Sequence, residues 1–268
     1  MRRISGIGAH MRTLITPESY RGFISALRTL SILTVPGRDA SSMASALPWF
    51  PLVGGLLGLI VYGVTAGADY ILGSTWAEAA GFLGVASGII LTRGFHLDGL
   101  SDWADGFGGY SNRKRILEIM KDSHVGVFGV LALIIVLLGK WIAITRLAEI
   151  HCIYLLPAAL IISRTMVVAL AVSLPYARPE GGTAASVVSD AGYMHLIIAG
   201  LSAAALLSIL YGWNGLLLMG IGAIVCAGFG WSCNRRLGGI TGDLLGTCNE
   251  LVELSVLFAA VVVGMGIR

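Results

Sequence analysis

The run Arg93-Gly94-Phe95-His96-Leu97-Asp98-Gly99-Leu100-Ser101-Asp102-Trp103-Ala104-Asp105-Gly106-Phe107-Gly108-Gly109 puts three carboxylates and a histidine at the mouth of an apolar stretch. Asp98, Asp102 and Asp105 are spaced i, i+4, i+7, so a helix turning about 100° per residue carries them on one face. Three anions on one face repel unless a cation sits among them. The hard-oxygen set suits Mg²⁺, which keeps waters and bridges carboxylates to substrate phosphates. The flanking glycines let backbone approach a bulky ligand closely. The simpler reading is a solvated helix start with Asp98 as its N-cap and the other acids facing water. A second charged cluster, Glu118-Ile119-Met120-Lys121-Asp122-Ser123-His124, follows directly and favours a site.

Composition bounds the class. The 268 residues are 56% hydrophobic and 12% charged, with 37 glycines. A soluble domain carries roughly twice that share of charge. Apolar runs near the length of a span recur along the chain, the signature of an all-α, polytopic membrane bundle. The formal charge of +3 gives no reason to expect a nucleic-acid partner. Cys152, Cys226, Cys233 and Cys248 form no C-x-x-C pair and read as buried free thiols. The N-terminus has arginines but no apolar stretch leading to a cleavage site, so no removable signal is expected.

Roughly seven spans are predicted, near Phe50–Leu72, Ala77–Phe95, Val125–Leu147, Ile153–Leu174, Tyr193–Tyr211, Gly215–Trp231 and Leu251–Ile267. Residues 1–20 read as an N-terminal extension inclined to disorder, and 21–268 as one transmembrane catalytic domain. Phe23 to Val35, interrupted by Arg28, reads as an interfacial or half-inserted helix ending at Pro36. Gly54, Gly55 and Gly58 make a small-residue face suited to packing. Arg2, Arg3, Arg12, Arg21, Arg28, Arg38, Arg113, Lys114, Arg115, Lys121, Arg178, Arg235 and Arg236 fall on one side if the N-terminus is cytoplasmic. The opposite loops are short and carry few positive charges. This predicts a multi-pass protein of the cytoplasmic (inner) membrane, N-terminus in and C-terminus out, with its chemistry facing the cytoplasm.

Three further stretches carry polar residues. Glu118 and Asp122, spaced i, i+4 with Lys121 between them, form either surface ion pairs or part of a site. Pro175 to Gly182 contains Arg178 and follows Arg164, an arginine inside an apolar span and so a functional candidate. Its alternative is a structural ion pair with an embedded acid. Gly238 to Glu253 is a glycine-rich turn around Asp243, suited to phosphate, leading to Glu250 and Glu253. Glu253 lies inside the apolar run and needs a cationic partner. Acidic clusters, basic residues and glycine turns at one end of a helical core suggest Mg²⁺-assisted transfer of a phosphoryl-type group.

Four stretches together resemble the cobalamin synthase family, the adenosylcobinamide-GDP ribazoletransferases. They are Gly94-Phe95-His96-Leu97-Asp98-Gly99-Leu100-Ser101-Asp102 with Asp105-Gly106, and Leu117-Glu118-Ile119-Met120-Lys121-Asp122-Ser123 with Gly126. Ser163-Arg164 with Tyr176-Ala177-Arg178 is the third. Gly239 followed by Thr241-Gly242-Asp243, Leu245-Gly246 and Glu250-Leu251 is the fourth. The resemblance covers nearly everything after Phe23. It implies that adenosylcobinamide-GDP and α-ribazole, or its 5′-phosphate, are joined to give adenosylcobalamin, or its 5′-phosphate, plus GMP, with Mg²⁺ required. It leaves room for a homo-oligomer and for association with other nucleotide-loop assembly enzymes.

On that resemblance Asp98, Asp102 and Asp105 would hold metal. His96, Glu118 and Asp122 are the candidates for catalytic work, one of them taking the proton of the attacking hydroxyl. Lys121, Arg164, Arg178, Asp243, Glu250 and Glu253 would contact substrate. Two other readings stand beside it. One is a CDP-alcohol-type membrane phosphotransferase, because Asp102 to Gly106 carries an Asp-x-x-Asp-Gly core. The other is a secondary transporter, disfavoured because the polar residues gather at one face and no repeat is evident.

Overall fold

The computed structural model describes residues 17–109, 112–182 and 184–266. Helix α1 spans Pro17–Leu30, α2 Phe50–Leu72, α3 Ala77–Thr92, α4 Phe95–Gly109, α5 Arg113–Ile119 and α6 Val127–Glu149. Then come α7 Leu156–Ser173, α8 Ala185–Asp190, α9 Tyr193–Tyr211, α10 Trp213–Leu237 and α11 Gly242–Gly266. Six helices among the described residues are long and apolar enough to cross a bilayer, and the bent pair α3–α4 makes a seventh if counted as one span. The predicted all-α membrane bundle is the observed architecture. Extended structure among these residues is limited to an isolated parallel bridge between Tyr176 and Ile240.

Helix α7 is the axis of the bundle, with nearly every side chain from Leu156 to Val168 buried. Its neighbours α2, α9, α10 and α11 pack around it. Glycines let α2 close on it: a Cβ at Gly54 would sit 2.5 Å from the Leu160 carbonyl oxygen, and one at Gly58 2.8 Å from Pro157 Cα. The small-residue face read from the sequence is a packing seam. The outer helices turn large apolar residues outward, among them Leu131, Ile135 and Ile142 on α6 and Leu201 and Ile209 on α9. That is the surface a helical protein presents to lipid, where backbone groups are satisfied within each helix. The four cysteines are free and buried, as expected.

Several boundaries differ from the sequence reading, the sixth span running to Leu237 and not Trp231, and three of the differences have a clear cause. The span expected to run to Phe95 stops at Thr92 and turns by 92° into α4. Arg93 adopts a left-handed φ of 55° and Gly94 a φ of 65°. Their amides close back on the Ile90 and Ile89 carbonyls, the double closure that ends a helix in a Schellman turn. Asp98 therefore lies in the first turn of α4 and is not its N-cap.

The last helix begins at Gly242, well before Leu251, because the glycine-rich segment continues as helix once Asp243, Glu250 and Glu253 find cationic partners. The N-terminal helix ends at Leu30, short of Pro36. Beyond it Arg28 gathers the chain by donating to the Val35 and Gly37 carbonyls and pairing with Asp39 at 3.1 Å. Of the extension expected over residues 1–20, residues 1–16 lie outside the described residues and 17–20 open α1.

Helices α4 and α11 cross closely at Gly99, where a Cβ would meet the Asp243 carbonyl oxygen at 2.5 Å. Gly99→Val is expected to force the helices apart, lowering the melting temperature and displacing Asp243. An unchanged melting temperature with full activity would show that the crossing is not needed.

Candidate active site

One end of the bundle is built from α4, α5, the loop before α6, the loop after α7 and the turn before α11. Arg113 ties these parts together. Its Nε donates to the Leu237 carbonyl at 2.8 Å and its Nη2 to the Ala177 carbonyl at 2.7 Å. Arg236 lies over the Phe107 ring at 4.4 Å and donates to the Phe107 carbonyl. The Tyr176–Ile240 bridge, with Ala177 N donating to the Ile240 carbonyl at 2.7 Å, holds the two loops side by side.

The three aspartates of α4 share one side of the helix but not one environment. Asp105 accepts the Gly126 amide at 2.7 Å and the Gly129 amide at 2.9 Å, so it caps the N-terminus of α6 from a neighbouring helix. Asp98 is exposed and Asp102 half-buried. Among the described residues neither carboxylate takes a hydrogen bond or an ion pair. Asp102 feels the charges of Asp243, Asp98 and Asp105, offset by Arg178. Arg178 pairs with Asp243 at 2.9 Å and also donates to the Met120 carbonyl, joining the second cluster to α11. Asp105→Asn is expected to weaken α6 capping, since an amide offers one acceptor where two N–H groups now converge. A fall in melting temperature together with activity checks this, and unchanged stability would refute the capping role.

The second cluster is an exposed surface. Helix α5 ends at Ile119, so Glu118 and Asp122 do not share a helix face as the i, i+4 spacing implied. Glu118 pairs with Arg115 at 3.3 Å. Asp122 bonds His124 Nδ1 at 2.6 Å, which holds its carboxyl below the usual range and raises the imidazole. Lys121 pairs with Glu180, whose carboxyl is lowered by that contact.

His96 points into the bundle, buried, with Nδ1 3.3 Å from Asn249 Nδ2. Arg164, Glu250 and Glu253 also lie inside, near the middle of their helices, together with a residue that the sequence reading passed over. Lys140 of α6 donates to Glu250 at 2.7 Å and to Glu253 at 2.6 Å. Arg164 pairs with Glu253 and donates to Ser163 Oγ. Asn249 Nδ2 donates to Glu250 at 3.2 Å and so links His96 to the network. Two cations balance two anions, which is how buried charge is tolerated in a bundle core. The ion-pair alternative for Arg164 is the observed arrangement. Polar residues are thus not confined to one end, as the sequence suggested. Lys140 was legible as a lysine inside an apolar run, carrying the same signal that singled out Arg164.

A cleft of about 640 Å³ opens between the end of α1, the α3–α4 elbow and α6. It shares Ile89, Thr92, Leu97 and Leu137 with a cavity of about 40 Å³ that reaches Lys140, Arg164, Glu250 and Glu253. Among the described residues no three His, Cys, Asp or Glu side chains form a ready-made metal cage. A cage is not what Mg²⁺ requires, because that ion is commonly bound by one or two carboxylates, waters and substrate phosphates. Asp98 and Asp102, oxygen donors without protein partners among the described residues, fit that mode. Asp105, with both oxygens on backbone amides, fits it less well.

The described residues thus form a helical membrane bundle with carboxylates, arginines and a glycine-lined helix crossing gathered at one end. Residues 22–261 match the family described as cobalamin-5-phosphate synthase, and the chain belongs to it. It is 49% identical over 245 residues to an adenosylcobinamide-GDP ribazoletransferase of Chlorobaculum parvum, covering 89% of this chain and 94% of that protein. It is 48% identical to the protein of that name from Chlorobaculum tepidum, covering 89% of this chain and 94% of the other. With the one from Klebsiella pneumoniae it shares 38% over 248 residues, 89% of this chain and 98% of the relative. No solved structure matches the chain.

Proposed function

We propose that this chain is an adenosylcobinamide-GDP ribazoletransferase working with Mg²⁺ at the cytoplasmic face of the inner membrane. The observation that carries the reading is the pair Asp98 and Asp102, without partners among the described residues, at one end of a chain that matches this family over residues 22–261. Membership in the family sets aside the CDP-alcohol phosphotransferase and the transporter. The run of arginines and lysines at the site end supports the cytoplasmic orientation.

In the proposed reaction a ribose hydroxyl of α-ribazole, or of its 5′-phosphate, attacks the phosphorus on the cobinamide side of the diphosphate. The new P–O bond forms as the bond to the bridging oxygen breaks, and GMP leaves with that electron pair. Asp98 and Asp102 would hold Mg²⁺, which neutralises diphosphate charge when bound. Arg178, positioned by Asp243, would face phosphate oxygens beside them. Lys121 would contact substrate by exchanging Glu180 for a phosphate oxygen. The hydroxyl proton goes to a carboxylate at this end, Asp122 and Glu118 being the exposed candidates. His96 and the Lys140–Arg164–Glu250–Glu253 network would act by holding α4, α6, α7 and α11 in register.

The test is GMP release by purified protein in lipid nanodiscs given adenosylcobinamide-GDP and α-ribazole 5′-phosphate. Metal-dependent GMP with a completed corrinoid is expected. Folded protein giving no GMP, with or without Mg²⁺, would overturn the assignment.

A further inference from the structure

Resting on the reaction just proposed, we propose that the elbow cleft is the acceptor nucleoside site and that Arg93 receives the 5′-phosphate there. The cleft is built in two chemical halves. Phe95, Leu97, Val125, Leu133 and Leu137 give it an apolar wall, suited to a flat heteroaromatic base. Arg93, Asp98 and Ser101 give it a polar edge. Its volume of about 640 Å³ lies in the range of small-molecule sites. That is ample for one nucleoside phosphate.

Among the described residues two cations line the cleft. Arg28 is engaged through both terminal nitrogens, by Asp39 and by the Val35 and Gly37 carbonyls. Arg93 is exposed and, among the described residues, makes neither a side-chain hydrogen bond nor an ion pair. Its backbone adds an independent observation. Arg93 stands at the left-handed position of the helix-ending turn, where glycine is the low-strain choice. A large side chain kept in a strained conformation beside a cleft points to use of that side chain. Ser101 lines the cleft too, but its buried hydroxyl is turned to Gly129 at the packing of α4 on α6 and is not counted towards the ligand. Asp98, in the same lining, has uncommitted oxygens. An acceptor seated with its phosphate on Arg93 and its base on the apolar wall would present its ribose towards Asp98.

Arg93→Gly tests this without threatening the fold, because it removes the guanidinium and relieves the backbone. The measurement is the ratio of kcat/KM for α-ribazole 5′-phosphate to that for α-ribazole, in nanodiscs, for wild type, Arg93→Gly and Arg93→Lys. The ratio is expected to fall about ten-fold in the glycine variant, the loss of one charge-assisted contact, and to recover in part in the lysine variant. The melting temperature is expected to stay level or rise. An unchanged ratio, with GMP formed from both acceptors, overturns the phosphate role and leaves the reaction standing. A wild-type protein that uses only the free nucleoside does the same. Rates that follow the anionic-lipid content of the nanodisc while the ratio stays fixed would give the cleft to a lipid headgroup and overturn the proposal. No GMP from wild type with either acceptor removes both this inference and the reaction it rests on.

Discussion

Asp102→Asn is expected to lower GMP release by at least about a hundred-fold, the usual scale for losing one preorganised electrostatic contact to a reacting centre. The same variant is expected to be at least as stable as wild type. Asp102 makes no hydrogen bond or ion pair among the described residues, so the substitution breaks no internal contact. It also removes one of several neighbouring anions, since Asp98, Asp105 and Asp243 all repel it. A group that adds repulsion when the protein is empty and is needed for turnover is the expected signature of a ligand site. Turnover and melting temperature on one preparation check both halves. A near-normal rate would sink the metal role, and a large loss of stability would make the residue structural.

Lys140→Met is expected to destabilise the protein by about 3–5 kcal/mol, because it leaves Glu250 and Glu253 facing each other without their shared cation. Arg164 would still pair with Glu253, so Glu250 carries most of the loss. The double variant Lys140→Met with Glu250→Gln removes one cation and one anion and restores neutrality. It is expected to recover most of the lost stability, the coupling that a double-mutant cycle measures. Thermal unfolding in nanodiscs reads it. A double variant no more stable than the single one would show that the charges do not act as a unit. Activity is expected to follow stability here, in contrast to Asp102→Asn, where the two part.

Membrane class, helical content and approximate spans follow from apolar runs, because a bilayer imposes their length and composition locally. The charged end proposed as the site stands out for a related reason. Asp98, Asp102, Arg178 and Asp243 are costly residues beside apolar helices, and their cost is visible one position at a time. The thiols and the Gly54–Gly58 seam read correctly on the same basis.

What each charged residue does depended on what stands opposite it. Nothing local marks Asp105 as the cap of α6, because its partners, the Gly126 and Gly129 amides, come from another helix. Lys140, Arg164, Glu250 and Glu253 come from three helices, and only their packing turns four unfavourable burials into one neutral network. The 92° elbow set by Arg93 and Gly94 opens the cleft between α1, α4 and α6, and no periodicity in the chain encodes that space. By itself the sequence determined which residues are chemically expensive. The tertiary structure decided which of them compensate one another and which are left uncommitted, because pairing energies depend on distance across helices and not along the chain.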